Sequence, residues 1–247
     1  VTAAETKRGM ATNNTITLTN STFSGDIIAA RTGATGGSGK YDKNGNEILN
    51  ESKGNKITIT GSTSISGWNL ISLQNNGVGN ASGNLVNVIG ISATKNTIEQ
   101  RVVLTSVYAV INGEGIVKSN TISLEKVSVS GDIYAAKNYS GEISSNTVTI
   151  KNSDVGSVTG AETTSGMATN NAVTLTNSTF SGDIVAAKTG ATGGSGKYDK
   201  NGNEILNESK GNKITITGST STTAVKLTAL QNDGDGNASG NSISVTG

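Results

Sequence analysis

One short segment recurs along the whole chain and sets its period. The fullest copy, NAVTLTNSTFSGDIVAA, covers residues 171–187. Full or shortened copies begin at eight asparagines: Asn14, Asn55, Asn84, Asn120, Asn146, Asn171, Asn212 and Asn241. The smallest spacing between them is 25 residues. A unit of this length cannot bury an apolar face alone, so successive copies are expected to stack along one axis.

The apolar residues of one unit predict three short strands. In residues 15–19, Ile16 and Leu18 alternate with threonines. This period of two is typical of a strand that points two side chains inward. After corners at Asn20-Ser21 and Gly25-Asp26, the second and third strands are expected to point inward with Phe23, Ile27 and Ala29. Ile28 is expected to point outward.

A longer duplication lies over these units. Residues 1–90 align with 158–247 without a gap, and about 70 of the 90 positions are identical. Residues 91–157 intervene, which gives a super-repeat of 157 residues. We therefore predict one continuous body over 1–247 in place of separate domains: an all-β, single-stranded parallel β-helix (β-solenoid) of about seven coils with projecting loops.

The least regular unit runs from residue 84 to 119. Its segments 101–104 and 107–109 are predicted to line up with the third strand of the first unit, Ile27 to Ala29. The surplus residues, around 94–100, are interpreted as an insertion.

Composition excludes several classes of protein. The chain has 19 basic and 18 acidic residues and a net charge of +1, so no basic surface for nucleic acid is expected. No apolar run approaches the ~20 residues that span a bilayer, and no signal-peptide pattern opens the chain, which predicts an exported or excised portion that does not insert into membranes. It has no His and no Cys, the usual soft metal ligands. We assign no cofactor, metal or catalytic residue.

The asparagine that opens each unit has two interpretations. Stacked amides can hydrogen-bond from one unit to the next and form an internal ladder. Alternatively, these side chains bind a ligand. The ladder is favoured because the asparagine recurs in every unit.

Two nearly identical loops, 31–54 and 188–211, leave the units of Asn14 and Asn171. The sequence KYDKNGNEIL in each predicts a small hairpin with a type I′ turn at Asn44-Gly45 and at Asn201-Gly202. Its candidate contact residues are Lys40, Tyr41, Asp42, Asn44, Glu47, Lys197, Tyr198, Asp199, Asn201 and Glu204.

The hairpin also resembles the start of a calcium loop, since oxygen side chains alternate at residues 42, 44 and 46. However, Glu47 stands where glycine is expected and Lys53 where a bidentate glutamate is expected. Calcium binding and a plain hairpin both stay open, with the hairpin favoured.

The outward position of the third strand predicts a partly apolar stripe along the stack. Its members are Ile28, Ile71, Tyr108, Tyr134, Thr159, Val185 and Thr228. Such a stripe suits a binding surface or a lateral contact, with Ile28, Ile71, Tyr108, Tyr134 and Val185 as candidate contact residues. The alternative is that the long loops fold back and cover it.

Other polar residues have structural explanations. Asp26, Asp132 and Asp183 each follow a glycine at a turn, which predicts corner hydrogen bonds and not a glycan-cleaving site. Outward threonines such as Thr17 and Thr174 resemble those of ice-binding solenoids, but threonine is also a common exposed strand residue. We predict that the chain is not an enzyme.

The Asn-x-[Ile/Val]-[Thr/Ser]-[Leu/Ile] start, with Ser-Gly-Asp-Ile-x-Ala-Ala in fuller copies, resembles the repetitive passenger regions of large bacterial autotransporter adhesins of fusobacterial type. The resemblance implies a right-handed β-solenoid stalk, extracellular and displayed on the bacterial cell surface. The predicted function is a structural stalk or adhesin segment that contacts protein or glycan on another cell. The alternative is a self-associating matrix or filament protein.

Overall fold

The fold is described from a computed structural model, which defines residues 1–33, 36–64, 67–91, 102–190 and 194–247. These residues form strands, turns and bends, and none of them lies in a helix. Most of the strand pairs are parallel. The predicted all-β class is confirmed.

The strands of the first half of the chain are β1 Thr2–Thr6, β2 Thr15–Thr19, β3 Thr22–Phe23, β4 Ile27–Thr32, β5 Gly37–Tyr41, β6 Glu47–Leu49, β7 Glu51–Lys53, β8 Lys56–Thr60, β9 Thr63–Ser64, β10 Trp68–Val78, β11 Asn80–Ser82, β12 Leu85–Ile89, β13 Val102–Glu114, β14 Val117–Lys118 and β15 Thr121–Glu125. Those of the second half are β16 Val127–Val129, β17 Ile133–Ser140, β18 Ile143–Ser144, β19 Thr147–Lys151, β20 Asp154–Val155, β21 Val158–Thr163, β22 Ala168–Thr169, β23 Ala172–Thr176, β24 Thr179–Phe180, β25 Ile184–Thr189, β26 Gly194–Tyr198, β27 Glu204–Leu206, β28 Glu208–Lys210, β29 Lys213–Thr217, β30 Thr220–Ser221, β31 Leu227–Asn232, β32 Asn237–Ser239 and β33 Ser242–Thr246.

The first strands of all eight units form one parallel sheet in the order β2-β8-β12-β15-β19-β23-β29-β33. Equivalent residues lie side by side: Ile16 pairs with Ile57, and Val148 pairs with Val173. The predicted span of β2 matches the observed strand. Units that follow one another in sequence are therefore neighbours in space, with their inward residues aligned.

The third strands form a second parallel stack in the order β1-β4-β10-β13-β17-β21-β25-β31. Short second strands and short strands that precede each asparagine form further parallel pairs between units. This pattern of unit-to-unit pairing is consistent with a parallel β-helix or solenoid.

The unit that contains β13 differs from its prediction. Tyr108 pairs with Ile71, as expected for a third strand. Segment 102–104, in contrast, pairs with β16 and so takes the place of a second strand. The prediction that it aligns with Ile27–Ala29 is wrong, because β13 runs on without a glycine turn, with Thr105-Ser106 where the first unit has Gly25-Asp26. The predicted insertion at 94–100 lies outside the described residues.

Among the described residues, the apolar core forms two clusters that run along the stack. Ile16, Phe23, Ile27 and Ala29 are buried as predicted, and Leu18 packs partly buried against the same cluster. The second cluster contains small residues, including Ala30, Ala161 and Ala187. Removing such side chains from water supplies most of the stabilising energy of a thin layer.

The third strands contribute residues to both clusters because the alternation of inward and outward side chains is interrupted in them. Adjacent Ala186 and Ala187 are both buried, and they belong to different clusters. Val185 and Lys188 are only half-buried on either side of them. The strand therefore presents two outward positions three residues apart.

The asparagines that open the units form the predicted ladder. Each of the first seven donates its backbone N–H and its Nδ2 to the Oδ1 of the asparagine one unit further on, with distances of 2.8 to 3.2 Å. The column runs from Asn14 to Asn241, and its six inner members are buried. Because these amides bind each other inside the fold, the ligand-binding alternative is wrong for them.

A second buried polar row was not predicted. It lies at the end of the third strands and contains Thr32, Asn75, Asn112, Asn138, Thr163 and Thr189. Asn75 Nδ2 donates to Asn112 Oδ1 at 2.7 Å, and Asn112 Nδ2 donates to Asn138 Oδ1 at 3.0 Å. The threonines donate to glycine carbonyls instead, as Thr189 does to Gly166 at 2.7 Å.

Candidate contact surfaces

Both predicted hairpins are present. β5 pairs antiparallel with β6, and β26 pairs antiparallel with β27. In the first copy Tyr41 lies opposite Glu47; in the second Tyr198 lies opposite Glu204, and Lys197 lies opposite Ile205. The duplication in sequence is therefore also a duplication in structure.

The turn of the hairpin is built on an aspartate. Asp42 Oδ1 accepts the backbone N–H groups of Asn44 and Asn46 at 2.8 and 2.9 Å. Asp199 makes the same bonds to Asn201 and Asn203 at 2.8 and 2.9 Å. The N–H donors of residues 46 and 44 lower the pKa of Asp42 below its ordinary value.

The predicted turn type is wrong. A type I′ turn needs a positive φ at both central residues, and of Asn44 and Gly45 only the glycine has one, 81°. Gly45 N–H donates to the Asp42 carbonyl at 3.0 Å, and Asp42 N–H donates to the Asn46 carbonyl at 2.9 Å. The loop is thus a turn from residue 42 to 45 that ends in a left-handed glycine. The Asp42 carboxylate stabilises this turn by accepting the N–H groups of Asn44 and Asn46.

The hydrogen bonds of the Asp42 carboxylate favour the plain hairpin over a calcium loop. The Asp42 carboxylate also accepts from Asn46 Nδ2 at 3.3 Å, so it serves as the acceptor of the turn itself. In the described ranges, no three His, Cys, Asp or Glu side chains are grouped so that they could hold a metal ion. The geometry is that of a hydrogen-bonded hairpin.

Glu47 holds the hairpin strands together from the side. Its carboxylate accepts the N–H of Gly39 at 2.8 Å. A Cβ on Gly37 would come within 2.2 Å of that carboxylate, so a larger residue at position 37 would displace the Glu47 carboxyl group.

The hairpins expose large apolar side chains. Tyr41 and Tyr198 are each 66% exposed, and Ile48 and Ile205 are 46% and 47% exposed. All residues from 39 to 48 are exposed. The tip of the first hairpin is therefore open to solvent.

The two hairpins follow equivalent strands, β4 and β25, which are five steps apart in the order β4-β10-β13-β17-β21-β25. At ~4.8 Å between neighbouring strands, their points of departure are about 24 Å apart. The chain thus presents the same exposed group twice along one stack.

The stripe has the predicted register. Ile71 pairs with Ile28 and with Tyr108, Tyr108 pairs with Tyr134, and Thr159 pairs with Tyr134 and with Val185. These residues, with Thr228 beyond them, therefore form one continuous column. We call this column the stripe.

Ile28 corrects the prediction in one respect. It belongs to neither core cluster, but it is buried and only 6% exposed. Its neighbours in the column, Thr2 and Ile71, lie on both sides of it. The accessible stripe therefore begins at Ile71, with Tyr108, Tyr134 and Val185 half-buried beyond it.

The centre of the stripe is a pair of tyrosines. The rings of Tyr108 and Tyr134 are stacked, with centroids 5.7 Å apart and an angle of 5° between planes. Lys137 Nζ lies 5.1 Å from the centroid of the Tyr134 ring. Burial, with the nearby carboxylates of Glu162 and Asp132, raises the pKa of Tyr134 well above its ordinary value. The pair is therefore a stacked aromatic patch next to charged groups.

The aspartates after glycine lie at corners, as predicted. Asp26 Oδ1 accepts the N–H and Nδ2 of Asn69 at 3.0 and 3.1 Å. Asp183 Oδ1 accepts the N–H of Lys226 at 2.8 Å. On the first-strand sheet, Thr17 lies beside Thr58 and Thr174 beside Thr215, but Asn87 and other residues interrupt this rank.

The chain was compared with known protein families, with curated proteins and with solved structures, and none of the three comparisons gave a match. No helix among the described residues is long and apolar enough to cross a membrane. The hairpins and the stripe are therefore the features that bear on function.

Proposed function

We propose that the chain is a stiff segment of a cell-surface adhesin. In this proposal it is a single-stranded, right-handed parallel β-helix of about seven coils that spaces contact loops away from a bacterial surface. The in-register strand pairs and the asparagine ladder support the stiffness of such a stalk. The sequence resemblance to autotransporter passenger regions supports its extracellular display.

The observation that carries the proposal is the pair of exposed hairpins. Each places a tyrosine and an isoleucine in solvent on an arm whose two strands pair with each other. Exposed aromatic side chains on a fixed scaffold are typical of contact loops. Two equal arms about 24 Å apart also allow two weak contacts to act together.

The hairpins are tested by replacing residues 37–49 and 194–206 with short Gly-Ser links. Beads coated with the chain are measured for attachment to cultured cells and to a panel of matrix proteins and glycans. We expect the β-rich circular dichroism spectrum to stay unchanged and attachment to fall strongly. Loss of one hairpin should weaken attachment more than twofold, since the two contacts reinforce each other.

The matched control is the double change Thr17→Ser and Thr174→Ser, on the first-strand sheet away from the hairpins. It should leave attachment unchanged. If the variant without hairpins attaches as well as the native chain, the contact lies elsewhere. Release of sugars from the glycan panel would contradict the non-enzymatic proposal.

A further inference from the structure

A second outward row runs beside the stripe, three residues further along each third strand. In strand order it contains Glu5, Arg31, Gln74, Ile111, Lys137, Glu162, Lys188 and Gln231. We call this the charged row. It adjoins the stripe, since Lys137 Nζ lies over the Tyr134 ring.

Within one chain the charged row is only partly paired. Arg31 lies 3.9 Å from Glu5, and Lys188 lies 3.9 Å from Glu162. The side chains of Arg31 and Lys188 remain 39% and 42% exposed. Arg31 Nε also donates to Gln74 Oε1 at 3.1 Å. Half-exposed ion pairs of this kind contribute little to stability, so exchanging them for pairs across an interface costs little.

When the charged row is placed against a copy of itself running in the opposite direction, opposite charges face each other. When the row is reversed about Ile111, Glu5 falls opposite Lys188 and Arg31 falls opposite Glu162. The same reversal places Tyr108 of the stripe opposite itself and Ile71 opposite Tyr134. Opposite charges and apolar residues therefore coincide in one arrangement.

We propose that this face binds a second copy of the chain, with the two stacks antiparallel, about a twofold axis along β13. A twofold axis parallel to the strands places the stripe of one copy against the stripe of the other, and the charged row of one copy against the charged row of the other. Both copies then use the same surface, so the contact is isologous and closes as a dimer. An axis along the stack would instead lay the stripe over the charged row. The second copy is the occupant that the charge order selects.

Neighbouring registers are disfavoured. Moving the axis by half a strand spacing in either direction brings Arg31 opposite Lys137 or opposite Lys188. Moving it onto β17 places Lys137 opposite its own copy. Moving it onto β10 keeps one kind of charge pair, Glu5 with Lys137, and places Arg31 opposite Ile111. Like charges facing each other across an interface cost several kcal/mol, so repulsion disfavours the first three shifts, and the loss of a charge pair disfavours the shift onto β10.

The contact is expected to be weak. The facing rows cover seven strands, a length of roughly 30 Å, and only two residues of each strand. A strip of this width is smaller than the ~800 Å² per partner of a standard stable interface. The dimer should therefore form at high protein concentration and weaken as salt is added.

This inference goes beyond the proposed function, because it does not involve the hairpins. It is tested with the charge reversals Arg31→Glu and Glu162→Arg, followed by sedimentation velocity at low salt over a range of concentrations. The native chain should dimerise. Each variant alone should dimerise at least about tenfold more weakly, since it places like charges opposite each other.

A mixture of the two variants gives the decisive result. The glutamate introduced at position 31 of the first variant then faces the arginine introduced at position 162 of the second. The unchanged Glu162 of the first variant faces the unchanged Arg31 of the second, so a mixed dimer should form. A native chain that stays monomeric throughout, single variants that dimerise like the native chain, or a mixture that does not recover would each overturn the proposal.

The register is tested by crosslinking. The native chain has no cysteine, so Tyr108→Cys and Tyr134→Cys each introduce a single thiol. A short bis-maleimide should crosslink the first variant to itself at the axis, and should join Ile71→Cys to Tyr134→Cys in a mixture. Crosslinking of Tyr134→Cys to itself as efficiently as Tyr108→Cys would overturn the antiparallel register. Removing both hairpins should change neither result, which separates this inference from the adhesive function.

Discussion

The asparagine ladder and the hairpin turn both depend on a side-chain oxygen that accepts two N–H groups, but the ladder is buried and the hairpin turn is exposed. In the ladder, Asn146 Oδ1 accepts two N–H groups from Asn120, and its Nδ2 donates to Asn171 Oδ1 and to the Val117 carbonyl. In the hairpin, Asp42 Oδ1 also accepts two backbone N–H groups, but in solvent. The first set joins one unit to the next, and the second joins a turn only to itself.

This difference shows which residues stabilise the stack and which are available for contact with a partner. A buried amide that uses all of its donors and acceptors cannot be replaced without leaving partners unsatisfied. An exposed carboxylate can be replaced because water takes over its bonds. We therefore expect changes in the ladder to destabilise the stack and changes in the hairpin to leave the stack intact.

The largest effect is expected for Asn146→Asp. At neutral pH the carboxylate cannot donate to Asn171 Oδ1, so a buried charge faces an acceptor, and the free energy of unfolding should fall by about 3–5 kcal/mol. Urea unfolding followed by circular dichroism measures this. Protonation at low pH restores one donor, so part of the loss should be recovered there.

The matched control is Asn44→Asp at the exposed hairpin tip, which should change the unfolding free energy by less than about 0.5 kcal/mol. Equal losses for the two variants would remove the distinction between the ladder and the hairpin.

The second largest loss in the free energy of unfolding is expected for Asn112→Ala in the second polar row. The change leaves Asn75 Nδ2 without its acceptor and the Gly79 carbonyl without the Asn112 donor. No charge is buried, so the loss should be about 2 kcal/mol, smaller than for Asn146→Asp. A loss below about 0.5 kcal/mol, the size expected of a surface substitution, would show that this row is not a second ladder.

The smallest effect on the stack is expected for Asp42→Ala. The backbone N–H groups of Asn44 and Asn46 lose their acceptor, so the amide resonances of the hairpin should move while the melting temperature of the stack stays unchanged. Asp199→Ala should do the same in the second copy. A lowered melting temperature would mean that the hairpin stabilises the stack.

The pH dependence of the hairpin follows from the same aspartate. The folded pKa of Asp42 lies below its ordinary value of 3.8, so its contribution to hairpin order is present above that value. It should be lost as the pH falls through the lowered pKa. Amide shifts of the hairpin recorded between neutral and acidic pH check this, with Asp42→Ala as the control that should show no such change.

Much of the fold could be predicted because each repeat carries two independent signals. Alternation in TITLT gives a strand, and an asparagine at the same place in every unit gives a ladder. The second polar row was missed because its members are three asparagines and three threonines, and Thr163 or Thr189 looks like an ordinary strand residue. Its signal was the constant position, five residues after the first inward residue of each third strand.

The surfaces were harder to predict. The hairpin followed from its residues, but its turn type depends on the Asp42 carboxylate, which holds Asn44 out of the left-handed region. The charged row escaped notice because two buried alanines in succession displace the next outward residue from two positions to three. The predicted exposure of Ile28 was wrong, since Ile28 is only 6% exposed although it lies in the same column as the half-buried Ile71.

The central claim is that the units stack in order, one strand spacing at a time. Spin labels on introduced cysteines at Thr17 and Thr174 lie on β2 and β23, five steps apart in the first-strand sheet. Electron–electron distance measurement should give a narrow distribution near ~24 Å, and moving the second label to Thr215 should lengthen it by about 5 Å. A broad distribution, or a distance that does not grow from Thr174 to Thr215, would contradict the stacked fold.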